Sequence, residues 1–255
     1  MSDAVLFDAR ADGVAVITLN RPETRNCLAA DVRDGLRAAW DRFERDPALH
    51  VAILTGAGDK AFCAGGDLKE MVATGMRVPP RDMFALPYDT VELSKPTIAA
   101  VNGVAFAGGW MIAQACDLCV ASTSATFAVT EVRVGRSSPW AAPLIHMIPQ
   151  RIMMEILLTG RPITAQRAYD IGLVNRVAEP GQLMAAALDL AGEILAGAPL
   201  SVRAARDTVM LSTEMGRSAA LRAARHAAEL CYHSEDAQEG PRAFAEKRRP
   251  RWTGR

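Results

Sequence analysis

Two segments of this chain place glycines where a backbone must come close to something. The first runs from Ala61 to Met71 and holds Ala64, Gly65, Gly66 and Asp67. The second runs from Ala100 to Gly109 and ends in Ala107, Gly108 and Gly109. Glycine lets a backbone approach a ligand closely and adopt conformations that other residues resist. The second segment leads from a predicted strand into the start of a predicted helix. There the N–H groups lack intrahelical partners and the helix dipole is positive. Two such groups aimed at one point form an oxyanion hole, and losing one donor of that kind costs about 10²–10³ in rate. Taken singly, each glycine pair also fits a tight turn in a compact α/β domain.

Other chemistry has little support. The sequence contains no G-x-S-x-G, no P-loop, no dinucleotide G-x-G-x-x-G and no H-E-x-x-H. The four histidines (His50, His146, His226 and His233) show no ligand spacing. Cys116 and Cys119 form a C-x-x-C without a second ligand pair, and read as buried structural thiols. Five scattered cysteines behind a start with no signal-like apolar stretch argue for reduced thiols and a cytoplasmic location. The formal net charge is zero, which gives no electrostatic footprint for nucleic acid or a membrane surface. No run reaches the roughly 18 apolar residues of a spanning helix. The short basic run from Lys247 to Arg251 is either a solvated tail or a contact to a phosphate-bearing ligand.

The elements that must position the glycines follow from periodicity. Residues 5–7 and 14–19 read as strands around an Asp12-Gly13 turn. Residues 29–43 carry Val32, Leu36, Ala39, Trp40 and Phe43 at helical spacing. Residues 51–54, 97–101, 118–121 and 125–128 read as strands, and a helix is expected from Gly108 to about Cys116. Strands alternating with helices favour an α/β fold with a largely parallel sheet. Residues 74–89 hold three prolines without a clear period and read as an irregular loop. Beyond residue 150 helices dominate, at 153–158, 165–171, 183–196, 201–211 and 219–231, with one strand at 174–177.

In combination these features resemble the crotonase superfamily, the enoyl-CoA hydratase/isomerase family. The resemblance runs nearly end to end. It includes Asn20-Arg21-Pro22-Glu23 with Asn26, the 64–67 segment, and Lys95-Pro96 leading to Asn102-Gly103 and Gly108-Gly109. It continues through Cys116-Asp117-Leu118, Phe127 to Glu131, Gly135, Gly172 to Asn175, and the closing stretch with Ser234, Phe244 and Lys247. It implies a spiral of stacked ββα units, here residues 1–195, and a C-terminal helical trimerisation region, residues 196–255. The implied ligand is an acyl-CoA thioester, with CoA as part of the substrate and no separate cofactor. The oxyanion-hole donors fall on the N–H groups of Gly66 and Gly108. The backbone around Arg25, Asn26, Cys27 and Leu28, and around Ala64, Gly65, Asp67 and Leu68, resembles the CoA-contacting surface. Phe244 and Lys247 match positions near the adenosine end, often supplied by a neighbouring subunit. A homotrimer or a pair of trimers is expected.

Family hydratases typically use two glutamates. The position of the first is Met111 here, and Glu131 matches the second. Hydration needs a group to activate water and a proton source for Cα, whereas a 1,3-proton transfer needs one carboxylate on one face. The expectation is therefore isomerisation, with hydration or a non-catalytic acyl-CoA binder as alternatives. Trp110, Arg136 and Trp140 are bulky where smaller residues are common. The two tryptophans either pack in the core or, with Met111, reshape the acyl pocket.

Overall fold

The computed structural model describes residues 3–255. Strands β1 (Val5–Ala9) and β2 (Val14–Leu19) form an antiparallel hairpin, followed by helix α1 (Ala30–Arg45). Three consecutive stretches then repeat one plan. In the first, β3 (Val51–Gly56) and β4 (Ala61–Cys63) precede α2 (Leu68–Thr74). In the second, β5 (Thr97–Val101) and β6 (Val104–Phe106) precede α3 (Gly108–Gln114). The third begins with β7 (Leu118–Ser122) and β8 (Thr126–Ala128). Each repeat gives its first strand to a six-stranded sheet, ordered β1-β2-β3-β5-β7-β10, and its second to a four-stranded sheet, ordered β4-β6-β8-β9. The chain thus advances as a spiral of ββα units. Outside the β1–β2 and β8–β9 pairs, all ladders are parallel.

After β8 come α4 (Gln150–Thr159), β9 (Ile163–Thr164), α5 (Ala165–Asp170), β10 (Arg176–Ala178) and α6 (Leu183–Leu195). The large sheet is covered on both faces, which explains its continuous apolar runs. Alternation decides which side chain goes where. Val51 and Ile53 meet Leu183, Ala187 and Ala191 of α6, while Ala52 and Leu54 face the main core with Trp40 and Phe43 of α1.

The last helices are α7 (Pro199–Glu214), α8 (Arg217–Tyr232) and α9 (Asp236–Ala245). No residue of α7 is buried, and in α8 only Ala220 is. Val209, Leu221, Leu230 and Tyr232 are each more than half exposed. The chain end folds back on this region: Asp236 accepts from the Thr253 and Gly254 amides, and the Trp252 indole donates to the Ala196 carbonyl. Among the described residues, no single helix is long and apolar enough to cross a membrane.

Several expectations need correction. Residues 102–109 do not pass directly from strand to helix; the three-residue strand β6 lies between. Its partner β4 is likewise absent from the sequence-based reading. Both have three residues and are too short to show a period. The strand expected at 174–177 is at Arg176–Ala178. The 74–89 segment is irregular as expected, apart from one 3-10 turn at Arg81–Met83. Helix α9 has no counterpart among the expected elements.

Candidate active site

The glycine segments meet where β4 and β6 end side by side. Gly65 has φ +102°, and a Cβ there would lie 3.0 Å from both the Ala107 Cβ and the Phe106 carbonyl oxygen. A Cβ on Gly108 would come within 3.6 Å of the Gly66 amide nitrogen. The two backbones therefore approach as closely as glycine permits. Among the described residues, none accepts a hydrogen bond from the Gly66 or the Gly108 amide. Gly108 is the first residue of α3, so its free N–H belongs to the positive end of that helix.

The surrounding backbone is held in uncommon conformations. Arg25, Asn26 and Ala107 all have positive φ, at 55°, 55° and 50°. Such residues persist only where their surroundings over-determine them, and they cluster at functional sites. Here the causes are visible. Ala107 N–H donates to the Ala128 carbonyl at 2.8 Å, which ties the start of α3 to the end of β8. The Ala64 amide donates to the Arg25 carbonyl at 3.0 Å, and the Leu28 amide to the Gly65 carbonyl at 2.8 Å. These two bonds lace the 25–28 and 64–68 segments together.

Within that lacing the residues divide into scaffold and surface. Asn26 is fully buried. Its amide donates to the Ala57 and Ala61 carbonyls at 3.0 and 2.9 Å, and its oxygen accepts from the Arg21 amide at 2.9 Å. Every strong group of that side chain is engaged inside the protein, so it braces the turn rather than facing a ligand. Cys27 is buried with its thiol 3.8 Å from Asp67. Asp67 caps α2 by accepting from the Lys69 and Glu70 amides, and these bonds hold its carboxyl below the usual range. Arg25 and Leu68 are exposed. Leu28 and Met71 bring apolar ends against the glycines: Leu28 Cδ1 lies 3.0 Å from the Cβ position of Gly108, and Met71 Cε 2.7 Å from that of Gly66.

Glu131 opens a 3-10 turn, Glu131–Val134, three residues beyond β8. Because β8 pairs with β6, this turn follows the strand beside the one that leads to Gly108. Burial pushes the Glu131 carboxyl above the ordinary range, partly offset by hydrogen bonds from its own backbone and from Trp140. The Trp140 indole N–H donates to Oε1 at 2.9 Å, and Oε2 is buried without a partner. The main chain at Trp140 is in turn anchored through its carbonyl, which accepts from Gln114 Nε2 at 2.9 Å at the end of α3. Met111 is buried on α3 and offers no acid.

The other bulky residues resolve differently. Trp110 is fully buried, edge-on to Phe127 at 5.7 Å between ring centroids. It packs the core and does not shape a pocket wall. Arg136 donates to the Met76 and Arg77 carbonyls at 2.8 and 2.9 Å. Arg37 of α1 donates to the Asp82 and Thr90 carbonyls. The irregular segment after α2 is thus clamped from two sides by its backbone. Neither clamp, nor the pairing of Trp140 with Glu131, leaves a spacing signal in the sequence. Phe244 is 87% exposed, and Lys247, just past α9, is exposed too. Among the described residues, no hydrogen bond joins either to the glycine segments. Cys116 and Cys119 are buried, as expected, and burial pushes the Cys119 thiol up to about 12. No group of three or more histidine, cysteine or acidic side chains converges as a metal site among the described residues.

Two free amides, with a buried carboxyl of raised pKa following the neighbouring strand, suit acid–base chemistry next to a carbonyl. Comparison with known proteins agrees with this class. The enoyl-CoA hydratase/isomerase profile matches residues 9–255. The structure superimposes on an enoyl-CoA hydratase from Mycobacterium tuberculosis H37Rv with TM-score 0.91 and 40% identity, covering 100% of both chains. An (E)-benzylidenesuccinyl-CoA hydratase from Thauera aromatica is 39% identical over 94% of this chain and 96% of that protein. A carnitinyl-CoA dehydratase from Proteus mirabilis is 38% identical over the full length of both. The chain belongs to the enoyl-CoA hydratase/isomerase family and has the crotonase fold. It is an enzyme of that family, and the three relatives just described are hydratases or a dehydratase by name. The expected preference for isomerisation finds no support among these relatives, whose names describe adding or removing water.

Proposed function

We propose that the protein catalyses reversible addition of water to the double bond of a 2-enoyl-CoA thioester, using Glu131 as its single acid–base group. The observation that carries this reading is the state of Glu131: a half-buried carboxyl, held at one oxygen by Trp140, with the other oxygen unpartnered. Such a group exchanges protons more readily near neutrality than an exposed glutamate. The names of the relatives favour hydration over isomerisation.

In this reading the amides of Gly66 and Gly108 receive the thioester oxygen. Their hydrogen bonds strengthen as negative charge builds there, which lowers the barrier at the adjacent carbons. Glu131 takes a proton from water as the water oxygen bonds to Cβ. The same carboxyl then returns a proton to Cα. One group on one face can do both, so the second carboxylate is dispensable and the two additions fall on the same side. The exposed parts of the 25–28 and 64–68 segments hold CoA. Phe244 and Lys247 contact the adenosine end across a subunit boundary, with the chain assembled as a homotrimer or hexamer. The exposed apolar residues of α7 and α8 support that assembly.

The test is to offer crotonyl-CoA and a 3-enoyl-CoA side by side. Hydration of the first, lost in Glu131→Gln, is the expected result. Isomerisation of the second without hydration of the first would refute the reading.

A further inference from the structure

We propose that Trp140 is a positioning residue: its indole N–H pins Oε1 of Glu131, so that Oε2 alone carries protons to and from the substrate. This rests on the reading of Glu131 given above and adds a division of labour within its carboxyl.

The geometry is specific. The donor lies 2.9 Å from Oε1, within the range of a good hydrogen bond. Oε2 is buried and has no protein partner, although a buried carboxylate oxygen without one is costly. The main chain at Trp140 is held in place by Gln114 Nε2, which donates to its carbonyl at 2.9 Å. Gln114 ends the helix that Gly108 begins. One short helix therefore connects an oxyanion-hole amide at its start to the support of the acid–base group at its end.

Neighbouring charges do not perform this task. On the same turn, Arg133 donates to the Thr159 carbonyl, and Arg136 just beyond it is engaged with Met76 and Arg77. Arg151 and Glu155 on α4, and His146 on the 3-10 stretch that carries Trp140, are exposed. None of them is a cause of the shift at Glu131; burial raises its carboxyl, and Trp140 is the one side chain that draws it back. An N–H donor favours the ionised carboxylate. Removing it leaves burial less opposed, so the carboxyl titrates higher and swings more freely.

The experiment compares the parent with Trp140→Phe, and with 3-benzothienylalanine inserted at position 140. The second replacement keeps the bicyclic shape and substitutes sulfur for the N–H, so it tests the hydrogen bond even where the phenylalanine variant packs poorly. Two readouts are taken. One is titration of the Glu131 carboxyl by NMR on ¹³C-labelled protein, with the resonance identified by its loss in Glu131→Gln. The other is the pH profile of crotonyl-CoA hydration. Both variants are expected to titrate at higher pH than the parent, to move the acid limb of kcat/KM the same way, and to lose about tenfold in kcat with little change in KM, as one lost hydrogen bond to a charged acceptor predicts. An unchanged Glu131 titration in the folded benzothienyl variant would overturn the proposal. The titration needs no turnover, so it still decides the role of Trp140 if the parent does not hydrate crotonyl-CoA and the functional reading fails.

Discussion

Replacing Gly109 by alanine tests whether the two glycine segments form one machine. A Cβ at this position would lie 2.0 Å from the Cys63 carbonyl oxygen and 2.8 Å from the Cys63 carbonyl carbon. A carbon and an oxygen normally stay about 3.2 Å apart, so the start of α3 and the end of β4 must separate by roughly 1 Å. Both sides of the clash are backbone, and no side chain can swing away. Overpacking of this kind costs about 3 kcal/mol. For a chain of this size each kcal/mol lowers Tm by about 2–4 °C, so a fall of roughly 6–12 °C is expected by calorimetry. The chemical effect is of similar size in free energy. Gly108 adjoins the clash, and a misplacement near 1 Å can cost about 10² in rate. Gly66→Ala is the matched control: its Cβ meets only Met71 Cε, the far end of a flexible side chain, at 2.7 Å. That variant should keep nearly the parent Tm. If Gly109→Ala retains both the Tm and the hydration rate of the parent, the close approach of the two segments does not set the geometry of the site.

Two further outcomes follow from the same structure. Glu131→Gln should abolish turnover yet raise Tm at neutral pH, since it removes a carboxylate whose ionised form is disfavoured by burial. Because its carboxyl is raised in the folded state, the parent carries this cost above that raised pKa and loses it below the unfolded value. The Tm advantage of the variant should therefore shrink as pH falls through the carboxylate range, and an advantage independent of pH would contradict the assignment. Asn26→Ala leaves the Ala57 and Ala61 carbonyls and the Arg21 amide without their partner, and should cost about 3 kcal/mol in chemical denaturation. A loss below about 0.5 kcal/mol would show that water replaces the side chain and that the brace is dispensable.

The large sheet is legible in the sequence because its strands carry β-branched and alanine runs bounded by turn residues. The expected bounds of 14–19 and 97–101 match β2 and β5. The small sheet is legible only in part: residues 125–128 read as a strand and match β8, whereas β4 and β6, three residues each, gain their identity from pairing. At the site, Gly65, Gly66 and Gly108 stand out as residue types that chemistry needs, whereas Glu131 is singled out only by its match to the family. Asn26 groups with the ligand surface by its place in the sequence, yet it is an internal brace, because a sequence shows that an amide is present and not where its hydrogen bonds go. Trp140 draws attention through its size, whereas its contribution is a single N–H aimed across an irregular turn. Met111 suggests a change of reaction. The absence of one acid restricts how protons move, but does not fix which bond is made.

The clamps on the segment after α2 bear on how enzymes of this shape diversify. Arg37 and Arg136 grip carbonyl oxygens of Met76, Arg77, Asp82 and Thr90. Every residue type supplies that oxygen, so the path of the segment is insulated from the identity of its side chains. Mutations at positions 76, 77 and 82 can alter whatever those side chains touch while the arginines keep the main chain in place. The tolerance ends at the arginines themselves: one change at position 37 or 136 releases the backbone at two points. Side chains along this stretch can change by single substitutions without moving its main chain, and the constraint on that path sits in α1 and just beyond the turn that Glu131 opens.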